Sequence, residues 1–391
     1  MFHDPPAGYK YGCRPGSRAM SETLSKLQRD AARNIVTKYL KVRAGENAVI
    51  ESWDHTMPIA TAMVDEIRRV GGRTLHIHED EEAWWHAIDR KQSKLLGKAS
   101  DPEWAALKAA DVYVHFWGPG DTDRIEKIPD RTFDEAIGWF SPWYETARKS
   151  GLRGGRVAIG FATEGRAKQW GLDRAQWEEN ILRACLTDPV ETAKRGARVY
   201  RALSRGKKVR ITHSNGTDLE VALARLAPRL HDGTPHPRDK KYGPSDMLAQ
   251  IPGGRIDVAL DSKTAEGRIH ANRRTNIWWY WSDGGTLEFA DGRLRSFSFD
   301  HEVNGEEEFA RRFRNGTAGR DRTGYLAFGL NPAAKDVPNL ENVELGSVTL
   351  AVGRNQHLHG TNSSSFMNWV TLAGAEIAID GAPVVRGGRL L

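Results

Sequence analysis

ELGSVTLAVGRNQHLHGTNSSSFMNWVTL, residues 344–372, predicts two β-strands joined by a polar connection. The apolar run Val348–Val352 is typical of a buried strand that ends at Gly353, and residues 366–369 open a second strand. The polar connection carries Gln356, His357, His359, Gly360, Asn362 and a serine run. Two strands that bring polar side chains back to one place favour a binding or catalytic site.

The N-terminal half alternates buried strands with helices. AGENAVIESW (44–53) predicts a strand, residues 59–70 predict a helix that ends at Gly71 and Gly72, and RTLHIHED (73–80) predicts the next strand. A strand–helix–strand order implies parallel pairing. Further strands are predicted at 110–118 and 156–165. The pattern indicates an α/β domain with a mostly parallel sheet over residues 21–200, after a flexible arm at 1–20.

The pattern changes after residue 207. KKVRITHSNGTDLEVALA (207–224) predicts a hairpin with an Asn-Gly turn, and GGTLEFADGRLRSFSF (284–299) predicts another. One helix is expected at 306–314, and the polar segment 231–246 is expected to be a surface loop. Residues 201–391 are therefore predicted to form a β-rich, barrel-like antiparallel domain that carries the site.

Composition narrows the class of function. The chain has 391 residues, with 57 Lys and Arg against 51 Asp and Glu, and a net charge of +6. Its arginines form no dense basic block, so a nucleic-acid partner is not indicated. No run of about 18 apolar residues suggests a membrane span. With two cysteines and no leader-like apolar region, a cytoplasmic protein that binds a small molecule is expected.

The 344–372 tract resembles the C-terminal motif of the metal-dependent aminopeptidases of the T and S type. Their fold is also used by 2,5-dihydroxypyridine dioxygenase. The matching frame consists of Gly346, Ala351, Gly353, Asn355, Gly360, Asn362 and Ser363. THSNGTDLEVAL (212–223) and QIPGGRIDVALDSKTAEGRI (250–269) resemble two further blocks of that family. The resemblance implies two domains and a homodimer formed through the C-terminal domain.

The metal ligands that the resemblance implies are replaced. Arg255 and Tyr325 stand where metal-binding glutamates are expected, and Thr349 stands for a histidine. Phe366 and Asn368 stand for a His-x-Asp pair. Gln356 holds the place of a tyrosine that assists catalysis. Because a guanidinium and a phenyl ring cannot ligate zinc or iron, no metal and no other cofactor is expected there.

The leading hypothesis is a metal-independent hydrolase acting on a small amide, ester or aromatic or heterocyclic compound. An arginine at the former metal position would bind an anionic substrate through two hydrogen bonds. The predicted catalytic residues are Arg255, Asp257, Tyr325, Thr349, His357, His359 and Asn368. The predicted substrate-binding residues are Gln356, Ser365, Phe366, Trp53 and His55. Asp257, two residues after Arg255, would be its salt-bridge partner, would orient it or would act as a base.

Two alternatives stay open. His357 and His359 could chelate a relocated metal, with His270, His301 or Glu302 as the third ligand. Such a site would make the chain a metal-dependent aminopeptidase or a ring-cleaving iron dioxygenase. The other alternative is a non-catalytic relative of the same fold that binds a small molecule.

Overall fold

A computed structural model describes residues 25–242, 247–277, 280–303 and 305–391. The side chains at 240, 276, 277, 280 and 301–303 lie outside that description, as do the predicted arm at 1–20 and Trp278 and Trp279.

The described helices are α1 (Lys26–Asn34), α2 (Met57–Arg69), α3 (Glu81–Asp89), α4 (Ser93–Leu96), α5 (Asp101–Ala109), α6 (Thr122–Ile125), α7 (Asp130–Ala136), α8 (Phe140–Ser150), α9 (Glu164–Gln169), α10 (Arg174–Ala184), α11 (Pro189–Arg205) and α12 (Gly305–Asn315). A π-helical turn, Ile35–Tyr39, extends α1.

The strands are β1 (Asn47–Trp53), β2 (Arg73–Glu79), β3 (Val112–Phe116), β4 (Arg153–Val157), β5 (Lys208–His213), β6 (Thr217–Ala222), β7 (Arg229–His231), β8 (Leu248–Ile251), β9 (Arg255–Ala259), β10 (Glu266–Ala271), β11 (Thr275–Ile277), β12 (Tyr280–Ala290), β13 (Arg293–Val303), β14 (Thr323–Gly329), β15 (Val348–Gly353), β16 (Met367–Leu372), β17 (Glu376–Ile379), β18 (Ala382–Arg386) and β19 (Arg389–Leu390).

The first sheet is parallel throughout, in the order β2-β1-β3-β4-β8. Its β1–α2–β2 unit confirms the predicted strand–helix–strand order, and Gly71 closes α2 with a φ of +85° that glycine adopts without strain. The fifth strand, β8, comes from beyond residue 201. The chain therefore returns from its C-terminal half to complete this sheet.

The fourth strand differs from its prediction. The apolar run 156–165 predicted a strand, whereas β4 covers Arg153–Val157 and residues 158–161 form a 3-10 turn. Gly154 allows β4 to pair closely with β8, because a Cβ there would lie 2.1 Å from the Leu248 side chain. The strand thus includes the two glycines before the apolar run, and Ala158 and Ile159 of the run are buried in the 3-10 turn.

The C-terminal half contains two antiparallel sheets. A nine-stranded sheet follows the order β11-β12-β10-β6-β5-β17-β18-β19, with β13 paired to β12. A five-stranded sheet follows the order β16-β15-β14-β9-β7. Apolar side chains from both sheets, from α11 and from α12 form a common core. A parallel α/β part with an antiparallel, β-rich part confirms the predicted fold class.

The predicted division at residue 200 falls within α11, which runs continuously from Pro189 to Arg205. In the described part of the chain, no helix combines the length and the apolar character that crossing a membrane requires.

Candidate functional site

Arg255 and Asp257 lie on the same face of β9, as their spacing predicts. Arg255 Nε is 3.0 Å from Asp257 Oδ1 and 3.1 Å from Oδ2. The turn before β9 passes very close to another segment, because a Cβ on Gly253 would lie 2.1 Å from Gly233 N. Glycine at 253 therefore lets the start of β9 approach the residues that follow β7.

His231 is the third member of this cluster. It lies opposite Arg255 in the β7–β9 register, and its Nε2 is 2.9 Å from Asp257 Oδ2. Burial lowers the pKa of His231, and Asp257 opposes that shift only in part. Burial alone would raise the pKa of Asp257, but Arg255 and His231 hold it well below its usual range. The arrangement is therefore an ionised carboxylate that holds a guanidinium and a neutral imidazole.

A cavity of about 100 Å³ adjoins this cluster. It lies between β4 and β8 of the parallel sheet and β7 and β9 of the five-stranded sheet. It is lined by Arg156, Arg229, His231, Gly233, Thr234, Asp239, Leu248, Ala249, Gln250 and Arg255. Three guanidinium groups around so small a space favour an anionic occupant.

Arg229 connects the cavity to the outer part of the site. Its Nε lies 3.5 Å from Asp239 Oδ1, and its Cζ lies 4.2 Å from the centre of the Tyr242 ring. Tyr242 in turn stacks on His359, with ring centres 4.9 Å apart. His359, which was predicted to be catalytic, is therefore separated from the cavity by the Tyr242 ring and Arg229.

Tyr325, Thr349 and His357 lie along the same face of the five-stranded sheet as Asp257. In the strand register, Asp257 neighbours Ala327, which neighbours Thr349. Thr349 is buried, and its hydroxyl lies 2.7 Å from that of Thr371. Tyr325 contacts His357 edge to face, and burial raises its pKa, with Asp257 adding to the rise. None of these three lines the cavity.

Other predicted site residues lie elsewhere. Phe366 and Asn368 lie on the opposite side of the sheet, where Phe366 packs against Phe309 and Phe313. Strand alternation explains this, because Asn368 pairs with Val352, whose side chain enters the core. Gln356 is exposed.

Ser365 is also away from the cavity. Its Oγ accepts a hydrogen bond from Thr317 N, and its own N–H donates to Thr317 Oγ1. These two bonds tie Ser365 to the turn at residue 317, so its hydroxyl serves as a local structural partner.

Trp53 and His55 lie at the carboxyl edge of the parallel sheet. His55 Nε2 is 3.1 Å from the carbonyl oxygens of Trp117 and Gly160, so this nitrogen donates. Burial lowers the pKa of His55, while Glu81 opposes the shift. Trp53 packs edge to face on Trp84. Neither Trp53 nor His55 lines the cavity.

The residues at the positions where the sequence resemblance implies metal ligands do not fit a zinc or iron centre. Arg255, Tyr325, Thr349, Phe366 and Asn368 supply neither an imidazole nor a carboxylate. Within the described residues, one group of three potential ligands meets, and it consists of exposed Asp54, His78 and Asp80 at the edge of the parallel sheet. Two of its carboxylates already accept backbone hydrogen bonds, from Glu81 N and Ala83 N.

The histidines of the relocated-metal alternative have separate partners. His357 contacts Tyr325, whereas His359 stacks on Tyr242. His270 lies on the nine-stranded sheet, with Nδ1 2.7 Å from Thr286 Oγ1 and Nε2 3.3 Å from Asp300 Oδ2. The side chains of His301 and Glu302 lie outside the described residues.

Of the residues that line the cavity, only Arg255 was predicted, and the missed residues include Arg156, Arg229 and His231. The segment 231–246 was expected to be a surface loop, but residues 232–234 are buried beside the cavity. Arg229 and His231 have the same two-residue spacing as Arg255 and Asp257. This repeated spacing could have indicated that Arg229 and His231 belong to the site. However, β7 has only three residues, so its alternation of side chains is hard to recognise in the sequence.

Comparison with known proteins supports the fold. No protein-family profile and no curated protein sequence matches the chain. Wild-type AmpT from Thermus thermophilus has a similar structure, with a TM-score of 0.67, 18% identity, and coverage of 93% of this chain and 99% of that one. The structure of 2,5-dihydroxypyridine dioxygenase from Pseudomonas putida is similar with a TM-score of 0.59, 14% identity, and coverage of 93% and 96%. At these identities the likeness shows a shared fold, and this fold is used by enzymes.

Proposed function

We propose that this chain is an enzyme that hydrolyses a small amide, ester or heterocyclic compound without a bound metal. The observation that carries the proposal is the His231–Asp257 pair beside a cavity lined by three arginines. A carboxylate-held imidazole is a recurrent general base, and guanidinium groups stabilise negative charge that develops during acyl transfer.

The proposed reaction begins with a water molecule in the cavity. Neutral His231 accepts a proton as the water oxygen forms a bond to the substrate carbonyl carbon. The carbonyl oxygen gains negative charge, which Arg255 and Arg229 stabilise. When the tetrahedral species collapses, the bond to the leaving nitrogen or oxygen breaks and protonated His231 returns the proton to it. Asp257 stays ionised, orients the imidazole and offsets its transient charge.

The donors present in this region support the proposal of metal independence. Arg255 stands where the sequence resemblance implies a metal ligand, but it is positively charged and its guanidinium is held by Asp257. The Asp257 carboxylate already contacts both Arg255 and His231. We therefore assign proton transfer and charge stabilisation to side chains.

We also propose a cytoplasmic homodimer. The dimer is suggested by the sequence resemblance to a family that dimerises through its C-terminal domain. The cytoplasm is suggested by the scarcity of cysteine, since the chain has two. Light scattering over micromolar concentrations tests the dimer, and a constant monomer mass would contradict it.

Turnover of a panel of small amides, esters and N-heterocycles tests the reaction. We expect activity to survive dialysis against EDTA and phenanthroline, and His231→Gln to reduce kcat by about 100-fold or more. His86→Gln is the matched control, because His86 is an exposed histidine on α3. One zinc or iron per chain, lost together with activity, would instead support the His357/His359 site. Ligand binding without turnover would support the non-catalytic alternative.

A further inference from the structure

Arg156 differs from the other two arginines of the cavity in its surroundings. It projects from β4 between His115 and Gln250 in the strand register. Its Nη2 donates to Tyr144 Oη at 2.7 Å, and its Cζ lies 4.8 Å from the Trp117 ring centre and 5.7 Å from that of Tyr144. Its Nε is buried without a hydrogen-bond partner. Neutral aromatic groups therefore hold this guanidinium in place.

The charges around the cavity do not cancel. Arg255 is held by Asp257, and Arg229 lies 3.5 Å from Asp239. Among the described residues, no carboxylate lies within ion-pair distance of Arg156. The positive charge of Arg156 therefore has no carboxylate partner among the described residues that line the cavity.

Among the described strand residues of the parallel sheet, Glu51 is an acidic residue on the same face as Arg156, but it is engaged elsewhere. It lies two strands away from Arg156, since Glu51 pairs with His115 and His115 pairs with Arg156. Its carboxylate accepts a hydrogen bond from the Tyr113 hydroxyl and lies 3.4 Å from His115 Nδ1. Glu51 therefore does not neutralise the guanidinium within the cavity.

We propose that the cavity selects substrates that carry a single carboxylate, with Arg156 as the anchor. A guanidinium matches a carboxylate in both charge and geometry, and a partly buried cation gains most from such a partner. The small volume fits a carboxylate and a few further atoms, so the rest of a larger substrate would lie outside. A dianion would leave one negative charge facing Asp239 in an enclosed space.

This inference rests on the proposed function for its catalytic meaning, but binding alone tests it. Calorimetric titration with acetate, benzoate, acetamide and inorganic phosphate at constant ionic strength is the experiment. We expect acetate and benzoate to bind, and acetamide and phosphate to bind at least tenfold more weakly. Arg156→Gln should weaken acetate and benzoate binding by at least tenfold, and Arg156→Lys should weaken it less.

Arg148→Gln is the matched control. It removes the same charge from the surface of α8, where Arg148 pairs with Glu145, and we expect wild-type affinity. Tyr144→Phe removes only the hydroxyl that holds Arg156, so it tests the anchor even where Arg156→Gln does not fold. We expect several-fold weaker acetate binding in Tyr144→Phe.

Two results would overturn the anchor. One is equal affinity for acetate and acetamide in the wild type. The other is unchanged acetate affinity in folded Arg156→Gln. If Arg156→Gln does not fold, unchanged acetate affinity in Tyr144→Phe has the same meaning. Carboxylate binding that depends on Arg156, without any hydrolysis, would support Arg156 as the anchor but contradict the proposed hydrolytic function. Hydrolysis that depends on His231 but proceeds equally well without a substrate carboxylate would support the proposed function and overturn the anchor.

Discussion

His231 Nε2 lies 2.9 Å from Asp257 Oδ2, across the pairing of β7 with β9. The same carboxylate also receives the Nε–H of Arg255. One buried acid therefore fixes both the proposed base and one of the cavity's cations. A change at Asp257 should disturb both partners, whereas changes at His231 or Arg255 should separate their roles.

The pH dependence of turnover should reflect the lowered pKa of His231. Since burial pushes this pKa below the ordinary 6.5, the imidazole stays neutral and basic in weakly acidic solution. We expect kcat/KM to be nearly constant from pH 7.5 to 6.5 and to fall only below that range. An acid limb centred above pH 6.5, or one that persists in His231→Gln, would contradict the assignment.

His231 should also contribute to the pH dependence of stability, with a sign set by its lowered pKa. The folded pKa of His231 lies below its unfolded value of 6.5, so protonation favours the unfolded chain. The contribution of His231 to the free energy of unfolding should therefore decline as pH falls below 6.5, whereas Glu79 and Glu341, whose pKa values burial raises to about 7, contribute in the opposite direction. The lowered pKa of Asp257 adds stability that is present above 3.8 and is lost at still lower pH. Urea unfolding at pH 8, 6 and 5 tests the first effect, which His231→Gln should reduce.

Asp257→Asn should destabilise the protein strongly. It leaves Arg255 and His231 facing a neutral amide in a buried position, and breaking a buried charged pair in this way costs about 3 kcal/mol. Asp218→Asn is the control, because Asp218 pairs with Arg210 on an exposed part of the β5–β6 hairpin. We expect little change in its melting temperature. Equal effects from the two variants would show that the buried cluster contributes no special stability.

Arg255 can be tested by two substitutions with different consequences. Arg255→Lys keeps the charge but loses the planar fork, so we expect slower turnover or weaker binding with nearly unchanged stability. Arg255→Met also leaves Asp257 without this cation, so we expect a lower melting temperature as well. If both variants have wild-type kinetics, Arg255 serves only as the ion-pair partner of Asp257.

The sequence predicted the individual strands and helices better than it predicted which strands pair with one another. Period-two alternation and the Asn-Gly turn predicted the β5–β6 hairpin, and the strand–helix–strand order predicted the parallel sheet. β8 could not be assigned to that sheet, because a four-residue strand contains no information about its partner. The cavity depends on that pairing, since Leu248, Ala249 and Gln250 form one of its walls.

Only part of the candidate site was predicted, because the rest of it depends on strand pairing that the sequence does not reveal. Arg255 and Asp257 are neighbours in sequence, and their shared strand face follows from alternation alone. Arg156 and His231 approach them only through tertiary pairing. Phe366 and Asn368 were predicted from a motif, but the strand register turns Asn368 toward the opposite face, and Phe366 packs there against Phe309 and Phe313.

Thr349 was predicted to be catalytic, but its hydroxyl lies 2.7 Å from the hydroxyl of Thr371, and both residues are buried. We expect this pair to stabilise the sheet without entering the reaction. Thr349→Val should cost about 1–2 kcal/mol, because it leaves the Thr371 hydroxyl buried without its partner. The double variant Thr349→Val/Thr371→Val should recover most of that loss, since replacing both hydroxyls by methyl groups of similar shape leaves no unsatisfied group.

Urea unfolding of the two single variants and the double variant measures this recovery, and turnover by the folded protein should stay at the wild-type rate in all three. A rate that falls in Thr349→Val and stays low in the double variant would instead make the Thr349 hydroxyl part of the catalytic machinery.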